Sequence, residues 1–470
     1  MNQHSSPSPA VTEAPPQLVH LLVVNLGSGR AATPTGYEET TYTFGDGPSA
    51  RSYRATVAGL ALWRWLQDTD RPPTRVLFAC TPSAWKEKAG AVADEARHLA
   101  LGWEHAEQRD LEIPRSQEQV WAMLQPLEEW IKQHGVGAGH KAVLHFDLTN
   151  AYRAIPIAQT WMALYLQRRG LVTPGVWGYG AFEPGKQETP FLDLAHLLSL
   201  ADWAEAVASF RDRFDTAGLT RLLEPLERSA RRSAAVPGGP KPRNELRALL
   251  RAAHDAGEAF RAGLPLEVGL EVQTHLGKLS AAAVRDAAAE LAPPHVLLAE
   301  ELFQSLQPLA APATAKGDRK RHLPLDRAEI RRQLHLVERW VRAGMFDAAL
   351  RALRELMVTR VLLAWGSKPG EWLRQQRRTS AEGRLHGLAS RPAPRPLSPS
   401  EARLAKLWNH VRERRNPLAH AGMEENEVKL PGTRQALEED LLPAFRALDS
   451  DDEVWRLEGI PEPREGEGGR

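Results

Sequence analysis

The feature that most constrains this chain is the run LVHLLVVNL at 18–26, which stops at Gly27-Ser28-Gly29. Apolar residues without alternation, many of them β-branched, predict a strand buried on both faces, as in a parallel sheet. TRVLFAC at 74–80, KAVLHFDLT at 141–149 and VTPGVWGYGAFE at 172–183 read the same way, and DLEIP at 110–114 reads as a shorter strand. Between them lie stretches of helical spacing at 52–67, 83–102, 116–135 and 152–170, and GYEETTYTFGDG at 36–47 has the composition of a hairpin. Strands alternating with helices of this length predict an α/β domain built on a Rossmann-like parallel sheet. Past about residue 190 almost every segment has helical spacing, so an all-α C-terminal domain follows.

The division expected is a disordered, proline-rich tail over 1–16, an α/β ligand-binding domain over 17–215, a helical connector over 216–330, a helical domain over 331–450 and a disordered tail over 451–470. Residues 305–326 read as a hinge, and Gly344 reads as a turn between two helices. No apolar run approaches the roughly 18 residues of a membrane span. The N-terminus lacks a hydrophobic signal core, so a cytoplasmic protein without membrane partners is expected. Cys80, the lone cysteine, excludes a disulfide framework and reads as a buried thiol. Net charge is +1, so any polyanion site must be a local patch. Arginine outnumbers lysine 48 to 12, which suits bidentate phosphate contacts but also fits a GC-rich genome.

Polar clusters follow three of the strands. Gly27-Ser28-Gly29-Arg30-Ala31-Ala32 fits the glycine pattern of a dinucleotide loop. The next segment is a poor helix and no acidic residue closes a second strand, so a nicotinamide-dependent oxidoreductase fails its own context. The glycines still allow a ligand close to the backbone, and a plain tight turn is the competing reading. Thr81 and Ser83 begin a helix, while Asp147, Thr149, Asn150 and Arg153 follow a strand. Singly, each is a helix cap. Together they lie on the carboxyl edge of one sheet, where α/β proteins bind ligands.

A further candidate is RERRNPLAH at 412–420. Asn416 and Pro417 read as N-cap and first residue of a new helix. That would place Arg415 and His420 at a positive helix end suited to phosphate. The Arg-x4-His spacing occurs once in this chain, and roughly one or two such pairs would arise by chance. Read functionally, arginine would stabilise a charged phosphoryl transition state while histidine moves a proton, which suits RNA cleavage by the ribose 2′-hydroxyl without a metal.

Taken together, these segments resemble the CRISPR-associated Rossmann-fold (CARF) ribonucleases of type III CRISPR systems, which end in a HEPN domain. NLGSG with Tyr37 and Tyr42 downstream, TPSAW at 81–85, FDLTNAYRAIP at 146–156, and YGAFE with the 189–210 stretch resemble the CARF segments. Asn150-Ala151 stands where histidine and glycine are common. RNPLAH at 415–420, preceded by ALRALRELMVTRV at 349–361, resembles HEPN. The resemblance covers roughly 17–215 and 331–425.

It implies an antiviral ribonuclease switched on by cyclic oligoadenylate bound across a CARF dimer. The favoured ring is cyclic tetra-adenylate, with hexa-adenylate the other candidate. It further implies a homodimer or higher oligomer whose paired HEPN domains cut single-stranded RNA without a metal or catalytic cofactor. The products would carry a 2′,3′-cyclic phosphate and a 5′-hydroxyl, and no stable complex with the CRISPR effector would be needed. The catalytic motif would be Arg415, Asn416 and His420. The ligand contacts would be Gly27, Ser28, Gly29, Thr81, Ser83, Thr149, Asn150 and Arg153. The alternative is a cyclic-nucleotide sensor whose HEPN domain only dimerises or holds a partner.

Overall fold

The computed structural model describes residues 17–27, 29, 31–45, 50–111, 114–135, 140–150, 154–183, 185–234, 244–290, 294–312, 319–390, 395–419 and 429–460. The chain divides into two compact units, Met1–Ser199 and Leu200–Arg470.

In the first unit the strands are β1 (Gln17–Leu26), β2 (Thr40–Phe44), β3 (Arg51–Ala55), β4 (Arg75–Cys80), β5 (Ala106–Asp110), β6 (His140–Asp147), β7 (Val172–Gly180) and β8 (Glu188–Asp193). The helices are α1 (Ala58–Asp68), α2 (Pro82–His98), α3 (Gln117–Gly135), α4 (Ala154–Arg168) and the start of α5 (His196–Arg213). Among the described residues the strands form one sheet in the order β3-β2-β8-β7-β6-β1-β4-β5, and β7-β6-β1-β4-β5 are all parallel. Alternate side chains of β1 explain its unbroken apolar run. Leu22, Val24 and Leu26 pack with α1 and α2 on one face, through residues such as Leu60 and Val92. Leu21 and Val23 pack with α3 and α4 on the other, through Trp130 and Met162. Each such side chain contributes roughly 1.5–3 kcal/mol by burial.

The structure corrects the expected elements in three places. The hairpin is β2–β3, so its second strand takes Arg51–Ala55, the segment that reads as the start of a helix. β5 lies at 106–110, earlier in sequence than 110–114. β8 has no counterpart in the sequence reading: it pairs antiparallel with β7 and parallel with β2. Long-range pairing stabilises these short segments, and local periodicity does not report it.

The second unit is all-α. It contains α6 (Ala217–Ala234), α7 (Asn244–Arg261), α8 (Pro265–Leu276), α9 (Ala281–Ala289), α10 (Pro294–Leu306), α11 (Arg327–Arg342), α12 (Phe346–Ala364), α13 (Gln375–Ala389), α14 (Pro399–Ala419), α15 (Leu430–Gln435), a π-turn over Ala436–Leu441, α16 (Leu442–Asp449) and α17 (Asp452–Arg456). One core runs from Trp203 and Phe210 of α5 through Leu249, Leu302 and Leu353 to Trp455. The division of the chain into compact units thus falls after Ser199 rather than at 215. The segment 216–330 is not a connector in this fold, since α6–α10 supply the same core as the helices after them.

The residues 451–460 also depart from the expected tail. Trp455 is fully buried, donates its indole N–H to the Leu448 carbonyl at 2.8 Å and packs against Phe445. The Arg360 guanidinium, buried as well, binds Asp449 at 2.8 Å and also Asp452, and lies 5.5 Å from the Trp455 ring. An aromatic that fills a core cavity anchors chain that composition alone marks as polar. The 1–16 and 461–470 tails lie outside the described residues. Gly344, with φ of +75°, makes the α11–α12 turn as expected. Among the described residues no helix is long and apolar enough to cross a membrane.

Candidate functional site

Strand order reverses beside β1, because β4 and β5 lie on one side of it and the later strands β6 and β7 on the other. In parallel α/β sheets such a reversal opens a crevice at the carboxyl ends of the strands. Register sets what lines it. Leu26 pairs with Cys80 and Val24 with Asp147. Gly27 therefore follows β1 level with Thr81 after β4 on one side and with Thr149 and Asn150 after β6 on the other, at the carboxyl ends of adjacent strands. Gly27, Gly29, Thr81, Ser83, Thr149 and Asn150 all fall on this edge, while Ser28 and Arg153 lie outside the described residues.

The loop after β1 is held from below by groups that the sequence does not reveal. Lys88 of α2 is buried, donates to the Thr35 carbonyl at 2.8 Å and sits 4.2 Å from the centre of the Tyr37 ring. Burial lowers its pKa. The Tyr37 hydroxyl donates to the Gly27 carbonyl at 2.7 Å, and burial raises its pKa above the ordinary range for tyrosine. Gly29 lies against Gly36: a Cβ on Gly29 would overlap the Gly36 carbonyl oxygen. Close backbone approach thus requires the second glycine of the loop. Tyr42, by contrast, is a core residue against Phe191.

At the end of β4, the Thr81 hydroxyl accepts from the Ala84 amide at 3.3 Å and lies 3.1 Å from the exposed Ser83 hydroxyl. Thr81 is thus the N-cap of α2, and Ser83 is open to solvent. Burial of the thiol pushes the Cys80 pKa up to about 12, as fits an inert core cysteine.

At the end of β6, Asp147 is fully buried and burial raises its pKa to about 6. Its Oδ1 accepts from the Thr149 amide at 3.0 Å; Oδ2 lies against Gly59 in the first turn of α1 without a hydrogen bond of full geometry. Thr149 Oγ1 accepts from the Gly180 amide at 2.9 Å, which ties this loop to β7. Asn25 donates to the Asp147 carbonyl at 2.7 Å and exchanges bonds of 2.8 and 2.9 Å with Gln159. Against this satisfied network, Asn150 Nδ2 is buried and has no hydrogen-bond partner among the described residues. A buried amide donor left open costs about 1–3 kcal/mol unless something accepts from it.

Deeper in the sheet, His145 Nδ1 accepts from the Val176 amide at 2.9 Å, so its proton sits on Nε2, 3.0 Å from His20 Nδ1. Burial, then the charges of His20 and Arg71, lowers the His145 pKa to about 3. Unfolded, it would titrate near 6.5. Between these values the unfolded chain binds the extra proton, so this stabilisation is complete above pH 6.5 and is lost as pH falls toward 3. Asp147 acts oppositely: its raised pKa favours the fold at low pH, a contribution lost as pH rises through 6. We expect the wild-type first unit to lose about 2 kcal/mol between pH 6.5 and 5 through His145, at up to 1.36 kcal/mol per pH unit. His145→Gln should lack that loss in urea midpoints measured across the same range, and parallel pH profiles for the two proteins would refute it.

In the second unit, the structure changes the reading of RERRNPLAH. α14 runs unbroken to Ala419 with Pro417 inside it, so Asn416 is not an N-cap and no helix begins there. The buried face Leu404, Leu407, Trp408 and Val411 holds the helix against the core. Pro417 removes only the bond to the Glu413 carbonyl, two residues before the end, where an interrupted ladder costs least. Arg415 therefore stands near a negative helix end, and any phosphate affinity comes from its own charge. It is half-buried, with Nε enclosed and unpartnered among the described residues. His420 lies outside the described residues.

Trp408, Arg412 and Arg415 follow at i, i+4 and i+7 and so share one helix face. Glu382 of α13 faces it. Its carboxyl is held below the usual range first by the hydrogen bond from His386, then by the charges of Arg354, His386 and Arg412. Arg412, unexplained in the sequence, thus balances a carboxylate on the neighbouring helix.

Asp255 of α7 with Glu271 and His275 of α8 could chelate a cation, their ligand atoms lying within 4.8 Å of one another. Both His275 Nε2 and His254 Nδ1 contact the Asp255 carboxylate at 2.9 Å, a hydrogen-bonded network that accounts for the arrangement.

No family model and no curated protein matches this sequence. Among solved structures, Enterococcus italicus Csm6 bound to cyclic hexa-2'-fluoro-hexa-dAMP aligns over 93% of this chain and 100% of its own, at 9% identity and a TM-score of 0.39. A likeness this distant transfers no residue's role to this chain.

Proposed function

We propose that this protein is a ligand-gated endoribonuclease of the CARF–HEPN type, acting in antiviral defence. The observation that carries the reading is Arg415: a half-buried guanidinium with an open Nε, five residues before His420 in a helical unit that follows an α/β unit with a polar crevice. The crevice at the reversal of strand order is the place for cyclic oligoadenylate. Gly27 and Gly29 let the ring's phosphates approach the backbone, Thr81 and Ser83 offer hydroxyls, and Asn150 Nδ2 supplies a donor that has no acceptor among the described residues. Ser28 and Arg153 complete the set.

In the reaction His420 takes the proton of a ribose 2′-hydroxyl, O2′ bonds to phosphorus, and the P–O5′ bond breaks. The leaving oxygen gains a proton, giving a 2′,3′-cyclic phosphate and a 5′-hydroxyl. Arg415 balances the charge that develops on the phosphoryl oxygens, and Asn416 positions the pair. One Arg–His pair per chain is half of a composite site, so the chain works as a homodimer. Pairing is further supported by an apolar patch on α3 and α4, where Trp121 and Trp161 are 68% and 67% exposed.

The test is cleavage of labelled single-stranded RNA in EDTA, with cyclic tri-, tetra- and hexa-adenylate added in turn. Cleavage is expected with tetra- or hexa-adenylate and 2′,3′-cyclic phosphate ends by mass spectrometry. Absence of cutting with every ring would sink the reading, and a requirement for added divalent metal would sink its metal-free chemistry.

A further inference from the structure

The arginines around the motif are not equally neutralised. α13 and α14 pack antiparallel: the His386 ring meets Trp408 edge-on at 5.3 Å, and Asn409 donates to the Ala389 carbonyl at 3.4 Å. One turn along, Glu382 senses the charge of Arg412. Each further turn toward the start of α13 is a turn toward the end of α14. The stripe Arg374, Arg378, Glu382 and His386 therefore faces the stripe Ala419, Arg415, Arg412 and Trp408. Within this seam the inner charges are compensated. Arg354 binds Glu382 and Glu355, and Arg378 binds Glu355 at 2.6 Å. The outer charges are not. Arg374 and Arg377 are exposed, Arg415 is half-buried, and none of the three has a carboxylate partner among the described residues. The carboxylates of this seam are used up one turn before the motif.

We propose that Arg374, with Arg377 beside it, binds a backbone phosphate of single-stranded RNA next to the one held at Arg415. Arg374, the N-cap residue of α13, is thus a substrate-positioning residue contributed from the start of a different helix. This rests on the ribonuclease reading above. By this register Arg374 lies opposite Ala419, one turn beyond Arg415. Two guanidiniums a turn apart on neighbouring helices, neither with a carboxylate among the described residues, repel one another, and a phosphodiester relieves that repulsion by bidentate contact. RNA fits this charge pattern because its phosphates recur along the strand.

The experiment measures binding apart from cutting. Full-length protein is titrated with a fluorescent single-stranded RNA that is 2′-O-methylated throughout and so has no 2′-hydroxyl nucleophile. Fluorescence anisotropy is read over a salt series, with cyclic tetra-adenylate present. For single strands the slope of log affinity against log salt changes by about 0.7 for each phosphate that is no longer neutralised. Arg374→Ala is expected to flatten the slope by about that amount, and Arg374→Ala/Arg377→Ala by up to about 1.4. On cleavable RNA, Arg374→Ala should raise KM more than it lowers kcat. Arg403→Ala, an exposed arginine near the other end of α14, should leave the slope unchanged. A slope and KM equal to wild type in Arg374→Ala would overturn the proposal while leaving the ribonuclease assignment standing. Failure of wild-type protein both to bind this RNA and to cut its unmodified form would remove both.

Discussion

Arg415→Ala is expected to lower the proposed activator-stimulated RNA cleavage by about 10²–10³-fold, the range for removing a preorganised donor to a developing charge, and His420→Ala by about 10²–10⁴-fold. The Arg415 substitution should act on rate and leave the fold intact. Arg415 Nε has no partner among the described residues, so trimming the side chain removes no hydrogen bond to them and should shift stability by no more than about 0.5 kcal/mol. Arg415→Lys is expected to recover little, because a point charge does not reproduce a planar fork on a phosphoryl group. The measurement is the single-turnover rate on labelled RNA beside a urea melt of each variant. An Arg415→Ala protein that keeps a tenth of the wild-type rate would exclude Arg415 from the reaction. One that unfolds would show that the side chain serves the fold.

The second large effect is at the crevice. Gly29→Ala places a carbon where the Gly36 carbonyl now lies, and 3.0 Å from Lys88 Nζ. Ordinary contact needs roughly 3.5 Å, so the 31–37 loop must retreat. It would loosen the Ala31 amide from the Gly36 carbonyl, now 2.9 Å apart, and Tyr37 from Gly27. Overpacking of this kind costs about 1–3 kcal/mol. The dissociation constant of cyclic tetra-adenylate, by calorimetry, is expected to rise at least tenfold, which corresponds to about 1.4 kcal/mol. Gly90→Ala is the matched control: it lies in α2 with nothing within 4 Å of the added carbon, and it should leave binding unchanged. Equal affinity in the Gly29 and Gly90 variants would remove the β1 loop from the ligand site.

Much of this was written in local pattern. LVHLLVVNL has to be a strand covered on both faces, because an unbroken apolar run leaves no side for water. Alternation of such runs with helical stretches dictates a parallel sheet, and a parallel sheet places the residues after each strand on one edge. Gly27, Thr81 and Thr149 can be grouped on that ground alone. Arg415 and His420 can be picked out by chemistry and spacing. The switch from α/β to all-α is equally visible in the change of period.

Other features depend on contacts between distant segments. Periodicity says which face of a segment is buried, but not against what. Only the assembled sheet puts β1 between β4 and β6 and so opens the crevice, inserts β8 beside β7, and brings Lys88 beneath a loop more than fifty residues earlier in sequence. Trp455 turned a polar-looking tail into core because a cavity was there to fill. At Asn416-Pro417 the local signal for a helix start lost to the packing of Leu404 through Val411, which carries α14 on to Ala419. The sequence by itself determined the chemistry at hand: an arginine, a histidine, and an edge of glycines and hydroxyls. Tertiary packing alone decided which arginines have their charge spent on carboxylates and which stand free, because the partners of a charge are chosen by which helices meet.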